Sequence, residues 1–524
     1  MSDPKAPMSE PESPRDALDA ERVEQLVQSL ESIVEDRLTL ESIPHELRIR
    51  LLTACGRLAR PAISERRAYN KAKRRKNRDE RRTRDEAVLD RTKIRQQRIA
   101  LVYPTPEPEG ETSPTPPLLS PPLVDARNCY ICKSDYRDVH FFYDALCPTC
   151  AEFNWEKRNQ SADLTGRVAL LTGGRVKIGY QAGIKLLRGG GRLIVTTRFP
   201  RDAASRYAAE KDFEEWSDRL DIFGLDLRHT PSVEALAEYI AERYDRLDFI
   251  LNNACQTVRR PPGFYGHLME QETLPYHELP DATRRLLAGY EELRGDAALE
   301  APGAPADKST EVASQLEAAG FNGIELSAAL SQIALVEGDK NRSEELFPEG
   351  RLDADLQQVD LRGINSWRLP LSEVSTVELL EVQLVNSIAP FVLNARLKPL
   401  MMRAPGRDKH IVNVSAVEGQ FYRSFKTDKH PHTNMAKAAL NMMTRTSAPD
   451  YLKVGIHMNS VDTGWITDED PMHITVQKRE EHGFHPPLDH VDAAARIVAP
   501  IFDGLNTGEH LWGQFLKDYR PTRW

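Results

Sequence analysis

Apolar residues recur along the chain in several distinct rhythms. From Asp16, Val23, Leu26, Val27, Leu30 and Val34 return at three- and four-residue steps, which predicts an amphipathic helix. After Pro44, Leu47, Ile49, Leu51, Leu52 and Leu58 predict a second. The two are expected to form a small helical hairpin, packed on itself or on a neighbour. No Pro or Gly interrupts the charged run between Ala62 and Val102, which predicts a long polar helix. Residues 103–122 hold eight prolines and predict an extended linker. From residue 165 short apolar runs alternate with helical stretches, the rhythm of a parallel sheet with crossover helices. Strands are predicted at 167–171, 192–196, 223–227, 249–255, 410–414 and 455–462. A turn is predicted at 172–179, leading into a helix at 181–187.

A length of 524 residues allows two to four domains. The predicted order is a disordered stretch (1–15), a helical and basic segment (16–102), a Pro-rich linker (103–125), a four-cysteine module (126–158) and an α/β domain (160–524). With 40% hydrophobic and 28% charged residues the chain reads as soluble, while 35 prolines and a mean hydropathy of -0.52 leave room for unpacked parts. The longest apolar runs fall short of the roughly 18 residues of a membrane-spanning helix, and the acidic, Pro-rich start lacks the layout of a secretory signal. These features argue against a membrane or secreted protein and point to the cytoplasm, or to the nucleus in a eukaryote.

The net charge of -9 hides a basic segment. Residues 57–98 carry seventeen Lys or Arg against six Asp or Glu. Such a run can bind phosphates or act as a nuclear import signal, yet it is more often a solvated face, and only Tyr69 interleaves it. Nucleic-acid binding is therefore the lesser expectation.

Four of the six cysteines form two pairs, Cys129-x-x-Cys132 and Cys147-x-x-Cys150, fourteen residues apart. This spacing brings four thiolates around one tetrahedral zinc, with Phe141, Phe142 and Tyr143 to fill a small core. Four sulfurs leave no open position, so the expected role is structural, and a protein partner for the module is a further expectation.

The strand, glycine-bearing turn and helix at Thr172–Gly179 form a unit that attracts a pyrophosphate. Together with FGLDL, LNNAC, HIVNV and GIHMNSVD, this resembles the short-chain dehydrogenase/reductase family, over residues 160–258 and 376–524. The resemblance implies a Rossmann-type doubly wound sheet, an NAD(P)-dependent oxidoreductase activity, and dimers or tetramers. Carried over, Thr172, Gly173 and Gly179 match the phosphate-binding turn, with Lys177 in place of its middle glycine. Asp226 and Leu227 match the adenine-side pair. Asn252, Asn253 and Ala254 match the fourth-strand motif, with Cys255 in place of glycine. Gly464 and Thr467 match the nicotinamide loop. No acidic residue follows the second strand; Arg198, helped by Arg175, suits a 2′-phosphate, so NADP(H) is expected over NAD(H). The alternative for Arg198 is a solvated surface charge.

Among the family's catalytic positions, Asn386 matches the helical Asn and Lys437 the Lys of YxxxK. Thr433 stands where the Tyr belongs and Ala416 where the Ser belongs, with Ser415 one residue early. Tyr422-x-x-x-Lys426 is a rival match, but its lysine lies 33 residues before Asn459, whereas Lys437 lies 22 before it, as the family pattern requires. Threonine is a far weaker acid than a phenol of pKa about 10. Ser415, Tyr422 or His432 would have to fill in. Two readings follow: an NADP(H)-dependent oxidoreductase acting on a carbonyl or alcohol, or a catalytically inactive nucleotide-binding scaffold or sensor. The insertion, residues 259–375, includes an Ala/Pro/Glu-rich stretch at 298–306 and a helical pattern at 312–335. It is expected at the ligand edge of the sheet as a lid or protein-binding cap, where Arg259, Arg260 and His267 would meet an anionic substrate or stay as surface charges.

Overall fold

The computed structural model describes residues 19–108, 118–294, 327–422, 426–483 and 485–524. The expectations for residues 1–15 and 298–306, and most of that for 312–335, lie outside them. The chain divides into two compact units, residues up to Thr83 and residues from Arg84 onward.

In the first unit, α1 (Ala20–Glu35) starts at Asp19, whose carboxylate accepts from the Arg22 amide at 2.8 Å, an N-cap that satisfies one of the free amides of the first turn. A second helix, α2 (His45–Ala59), follows. Packing is shallow among the described residues: Leu30, Ile33 and Leu51 are half-buried. No residue of either helix is buried, and Val23, Leu26, Leu47 and Leu52 remain between 41% and 52% exposed. The helix α3 (Ile63–Leu89) is long and polar as predicted, but it ends short of Val102. The Thr92 hydroxyl donates to the Leu89 carbonyl at 2.6 Å, and a short α4 (Lys93–Arg98), already in the second unit, follows.

The second unit is built on an eight-stranded sheet. After a two-residue ribbon of β1 (Arg127–Asn128) and β2 (Asp135–Tyr136) comes α5 (Pro148–Asn159). Then follow β3 (Val168–Thr172), α6 (Lys177–Arg188), β4 (Arg192–Thr197), α7 (Pro200–Ala208), α8 (Phe213–Trp216), β5 (Leu220–Gly224), α9 (Thr230–Arg243) and β6 (Phe249–Asn252). The later strands are β7 (Lys409–Ser415), β8 (Ile456–Asp462), β9 (Phe515–Lys517) and β10 (Arg520–Thr522). The order is β10-β9-β8-β7-β6-β3-β4-β5, parallel except for the β9–β10 hairpin. The first and fourth parallel strands, β3 and β6, are neighbours, so the chain reverses direction of travel there and opens a crevice at the strands' carboxyl ends. This is the expected doubly wound fold, with one correction: β5 lies three residues earlier than the pattern placed it, so Leu225, Asp226 and Leu227 belong to the loop above the sheet. Every residue of β3, β7 and β8 is buried, as expected when helices cover both faces. One segment, Thr376–Arg403, is long and apolar enough to cross a membrane by composition. Here it carries Leu393, Leu397, Leu400 and Met401 into the core beside the sheet.

The insertion begins with α10 (Pro262–Glu272) and α11 (Asp281–Arg294). Helix α11 is no loose lid. Its Leu286, Leu287 and Tyr290 join the main core, and a Cβ on Gly224 of β5 would lie 2.3 Å from the Tyr290 hydroxyl. Residues 103–107 run along the α/β core: the Tyr103 amide donates to the Ala354 carbonyl at 2.8 Å, and Arg188 donates to the Pro106 carbonyl at 2.7 Å.

At the end of α10, Glu272 accepts from the Arg201 and Asp202 amides at the start of α7, at 3.3 and 2.9 Å. Burial pushes its carboxyl up to about 7 from an ordinary 4.5. The folded state therefore binds this proton more tightly than the unfolded chain does. Its contribution to stability is complete below the unfolded value and is lost as pH rises through the folded one. Glu272→Gln should flatten the decline in Tm between about pH 5 and about pH 8; an unchanged slope in a thermal-unfolding series would contradict this.

Candidate functional site

The site is assembled from the turn after β3. Gly173 has φ +70°, and a Cβ there would lie 2.9 Å from the Ala254 backbone. A Cβ on Gly179 would come within 2.1 Å of the Gly173 carbonyl and 2.4 Å of Asn253 Nδ2, so only glycine lets α6 start this close to β3. Asn253 ties the turn down, donating from Nδ2 to the Thr172 and Gly173 carbonyls at 3.0 and 3.1 Å. The Thr172 hydroxyl accepts from the Ala254 amide at 3.0 Å. Lys177 takes φ +55°, the left-handed region that a glycine would enter freely, and its ammonium lies 3.8 Å from Asp355.

A cleft of about 350 Å³ opens here, bordered by Gly173, Lys177, Arg198, Asp226, Asn253 and Thr467 among others. Arg198 lies at its β4 end, donating to the Tyr265 hydroxyl at 2.6 Å with its guanidinium 4.6 Å from the ring centre. Arg175 borders the same cleft, but its charge is spent: it is buried, 2.7 Å from Asp202, and hydrogen-bonded to Gln357. Among the described residues, Arg198 has no carboxylate hydrogen-bonded to it, unlike Arg175. Asp226 is also committed. Both of its oxygens accept from Arg228, and although burial alone would raise its carboxyl, Arg228 holds it below the usual carboxylate range. Arg228 continues to Glu381 at 2.8 Å, Glu381 to Arg259 at 2.9 Å, and Arg259 to Asp339. Arg259 is therefore buried and neutralised, and Arg260 pairs with Asp360. Neither is free for an anionic substrate, while His267 stays on the surface.

Among the described residues, Ser415, Thr433 and Lys437 do not line the cleft. Asn386 is buried in a π-helical turn, Leu384–Ile388, a distortion frequent at functional sites. Its side chain pairs with the Gln256 backbone, accepting at 2.7 Å and donating at 3.1 Å. Lys437 is buried and donates to the Val414 carbonyl at 2.8 Å. Ser415, the last residue of β7, donates to Asn441 at 2.6 Å. Ala416 offers no hydroxyl. Thr433 is buried and its hydroxyl makes no hydrogen bond among the described residues. Tyr422 is 49% exposed, and His432 is buried 3.6 Å from Glu378. Thr467 donates to Glu469 at 2.6 Å, and the Gly464 amide to Asp462 at 3.3 Å.

The cysteine module packs against the same end of the unit. One ligand sulfur from each of Cys129, Cys132, Cys147 and Cys150 lies within 4.8 Å of the others, a donor set and spacing that fit one tetrahedral ion. Hydrogen bonds from Ser134 pull the Cys132 thiol down to about 6. Phe142 and Tyr143 fill the expected small core, shared with Ile466, Leu488 and Ala493. Arg158 of α5 reaches Asp489 and Asp492 at 2.6 and 3.0 Å at the start of the His490–Thr507 helix, all three buried. The Tyr143 hydroxyl donates to Asp492 at 2.5 Å. Between the first two cysteines, the Tyr130 hydroxyl accepts from the Trp465 amide at 3.1 Å and so holds the loop at 463–467. Tyr130, Tyr265 and Glu381 escaped sequence reasoning, because each acts on a partner more than sixty residues away.

The fold and cleft define a doubly wound α/β protein of Rossmann type. Residues 167–270 match the family model described as short chain dehydrogenase, and residues 358–489 that described as enoyl-(acyl carrier protein) reductase. A protein of Acanthamoeba polyphaga mimivirus is 32% identical over 390 residues, 72% of this chain and 71% of that one. Retinol dehydrogenase 13 of Homo sapiens is 33% identical over 95 residues, 18% of this chain and 28% of that protein. The solved RhlG/NADP complex of Pseudomonas aeruginosa aligns at 16% identity over 68% of this chain and 95% of its own, with a TM-score of 0.40. The chain belongs to the short-chain dehydrogenase/reductase family.

Removing one partner from a buried ion pair strands the other charge, at a cost of about 3–5 kcal/mol. Arg158→Ala should therefore lower the urea-unfolding free energy by about that amount, far more than Lys157→Ala at the partly exposed neighbouring pair with Asp503. Equal, small losses would show that the Arg158 cluster does not hold the module.

Proposed function

We propose that the chain binds NADP(H) in the cleft above β3 and β4, and transfers hydride between the nicotinamide and a carbonyl or alcohol. The observation that carries this is the Gly173–Gly179 cradle with Arg198 at its adenine end. The cradle leaves room for a pyrophosphate at the start of α6, and a guanidinium forms two hydrogen bonds to a phosphate where a carboxylate would repel it. Bound NADP(H) supplies the hydride. Lys437 places its Nζ on the Val414 carbonyl near the end of β7, and Asn386 fixes the Gln256 backbone next to the cleft. The four cysteines hold a structural zinc.

A second reading, a nucleotide-dependent scaffold or sensor, is favoured by the hydroxyls. Thr433 replaces the phenol, Ser415 is turned to Asn441, and Tyr422 is exposed. Both readings require nucleotide binding, and a carbonyl-substrate screen with NADPH oxidation as readout separates them.

In a titration of the purified protein, NADPH should bind more tightly than NADH. Arg198→Ala should erase the preference by weakening NADPH alone, by about 1.5–3 kcal/mol for a lost charged hydrogen bond. Gly179→Ala should weaken both nucleotides. Failure of either to bind at millimolar concentration would overturn the proposal and point to Lys177 as the obstruction.

A further inference from the structure

One face of α3 is organised in a way that neither the fold nor the cleft uses. Arg67, Asn70, Lys71, Arg74, Arg75, Asn77, Arg78 and Arg81 lie together along one shallow surface of this helix. At about 100° per residue they fall within an arc of about 160°. Much of the pattern repeats every seven residues: Arg67, Arg74 and Arg81 in one row, Lys71 and Arg78 in a second, Asn70 and Asn77 in a third. All eight are exposed. Asp79 flanks the face at one edge, 3.8 Å from Arg75 and 3.9 Å from Arg78, while Glu80 lies 3.9 Å from Lys76 away from it and Glu65 is held by Arg57 at 2.7 Å.

We infer that this face of α3 is a binding site for double-stranded DNA, laid along the major groove. Three features select this ligand. The residues lining the face are six cations and two asparagines, with no carboxylate and no apolar residue among them over about 21 Å of helix, which suits a polyanion. Arginine and asparagine are the side chains whose paired donors and acceptors match the major-groove edges of guanine and adenine, and here they alternate along a helix, the element that groove admits. The missing features matter equally. A helix lying on an anionic membrane needs an apolar side, which is absent here. Single strands are gripped by stacking on aromatic rings, and Tyr69 lies off the face. Duplex RNA closes its major groove to side chains.

The test uses the full chain and a mixed-sequence DNA duplex of about 20 base pairs, followed by fluorescence anisotropy. Binding should be detectable at about 50 mM salt and fall by two to three orders of magnitude at about 200 mM, as expected when about five phosphates are neutralised. Arg67→Ala/Arg74→Ala/Arg81→Ala should weaken binding more than tenfold and flatten the salt slope by about one unit per residue in phosphate contact. Asn70→Ala/Asn77→Ala should leave the slope unchanged and reduce discrimination among duplex sequences. These residues are exposed, so far-UV circular dichroism should be unchanged in every variant. Three results would overturn the inference: no duplex binding at low salt, equal loss from the reverse-side variant Lys73→Ala/Lys76→Ala, or stronger capture by phosphatidylserine vesicles than by DNA.

Discussion

Arg158, enclosed between Asp489 and Asp492, is the interaction on which the second unit's arrangement depends. Burying three charges is expensive, and such a cluster persists only where each charge is matched. Here the match joins the cysteine module to the start of the helix that runs behind β7 and β8. Tyr143 and Arg496 extend the junction: one donates to Asp492, the other to Asn154 at 2.7 Å. Apolar residues of similar volume would hold the contact with equal strength, so what the ions add is a fixed register. That register brings Tyr130, between Cys129 and Cys132, to the backbone of Trp465. The module is thereby built into the wall of the cleft, sharing one hydrophobic core with Ile466, Leu488 and the cleft-lining Ile178.

The insertion is integrated in a similar way. Helix α11 buries Leu286, Leu287 and Tyr290 beside β5, while α10 brings Tyr265 onto Arg198. A cation that would otherwise be solvated is held over the cleft by an aromatic face. The neighbouring chain of Asp226, Arg228, Glu381, Arg259 and Asp339 links the loop after β5, the insertion and the helix preceding Asn386. Cleft shape and insertion position are thus coupled through charges that cannot be left unpaired in the interior.

The parallel core was legible in sequence because central strands buried on both faces read as short apolar runs, and because Gly173 and Gly179 stand where a Cβ does not fit. The register of β5 was not legible. Leu225 and Leu227 are as buried as the strand itself, so hydrophobicity alone carries the pattern past the last ladder hydrogen bond. Arg259 and Arg260 read as free cations because their carboxylates, Asp339 and Asp360, are eighty and one hundred residues away. The amphipathic pattern of α1 and α2 predicted the helices correctly but said nothing about what covers them, and among the described residues none of their apolar positions is buried. The two CxxC pairs announced a metal site, yet their spacing held no sign that the tyrosine between two of the ligands would reach Trp465.

The cysteine module and the loop at 463–467 form one mechanical piece. Hydrogen exchange read by mass spectrometry, comparing the protein as purified with the protein after chelation, tests it most directly. The account predicts that residues 463–467 and the start of the His490–Thr507 helix lose protection together with residues 129–158. Loss of protection confined to 129–158, with the Trp465 amide unchanged, would contradict it.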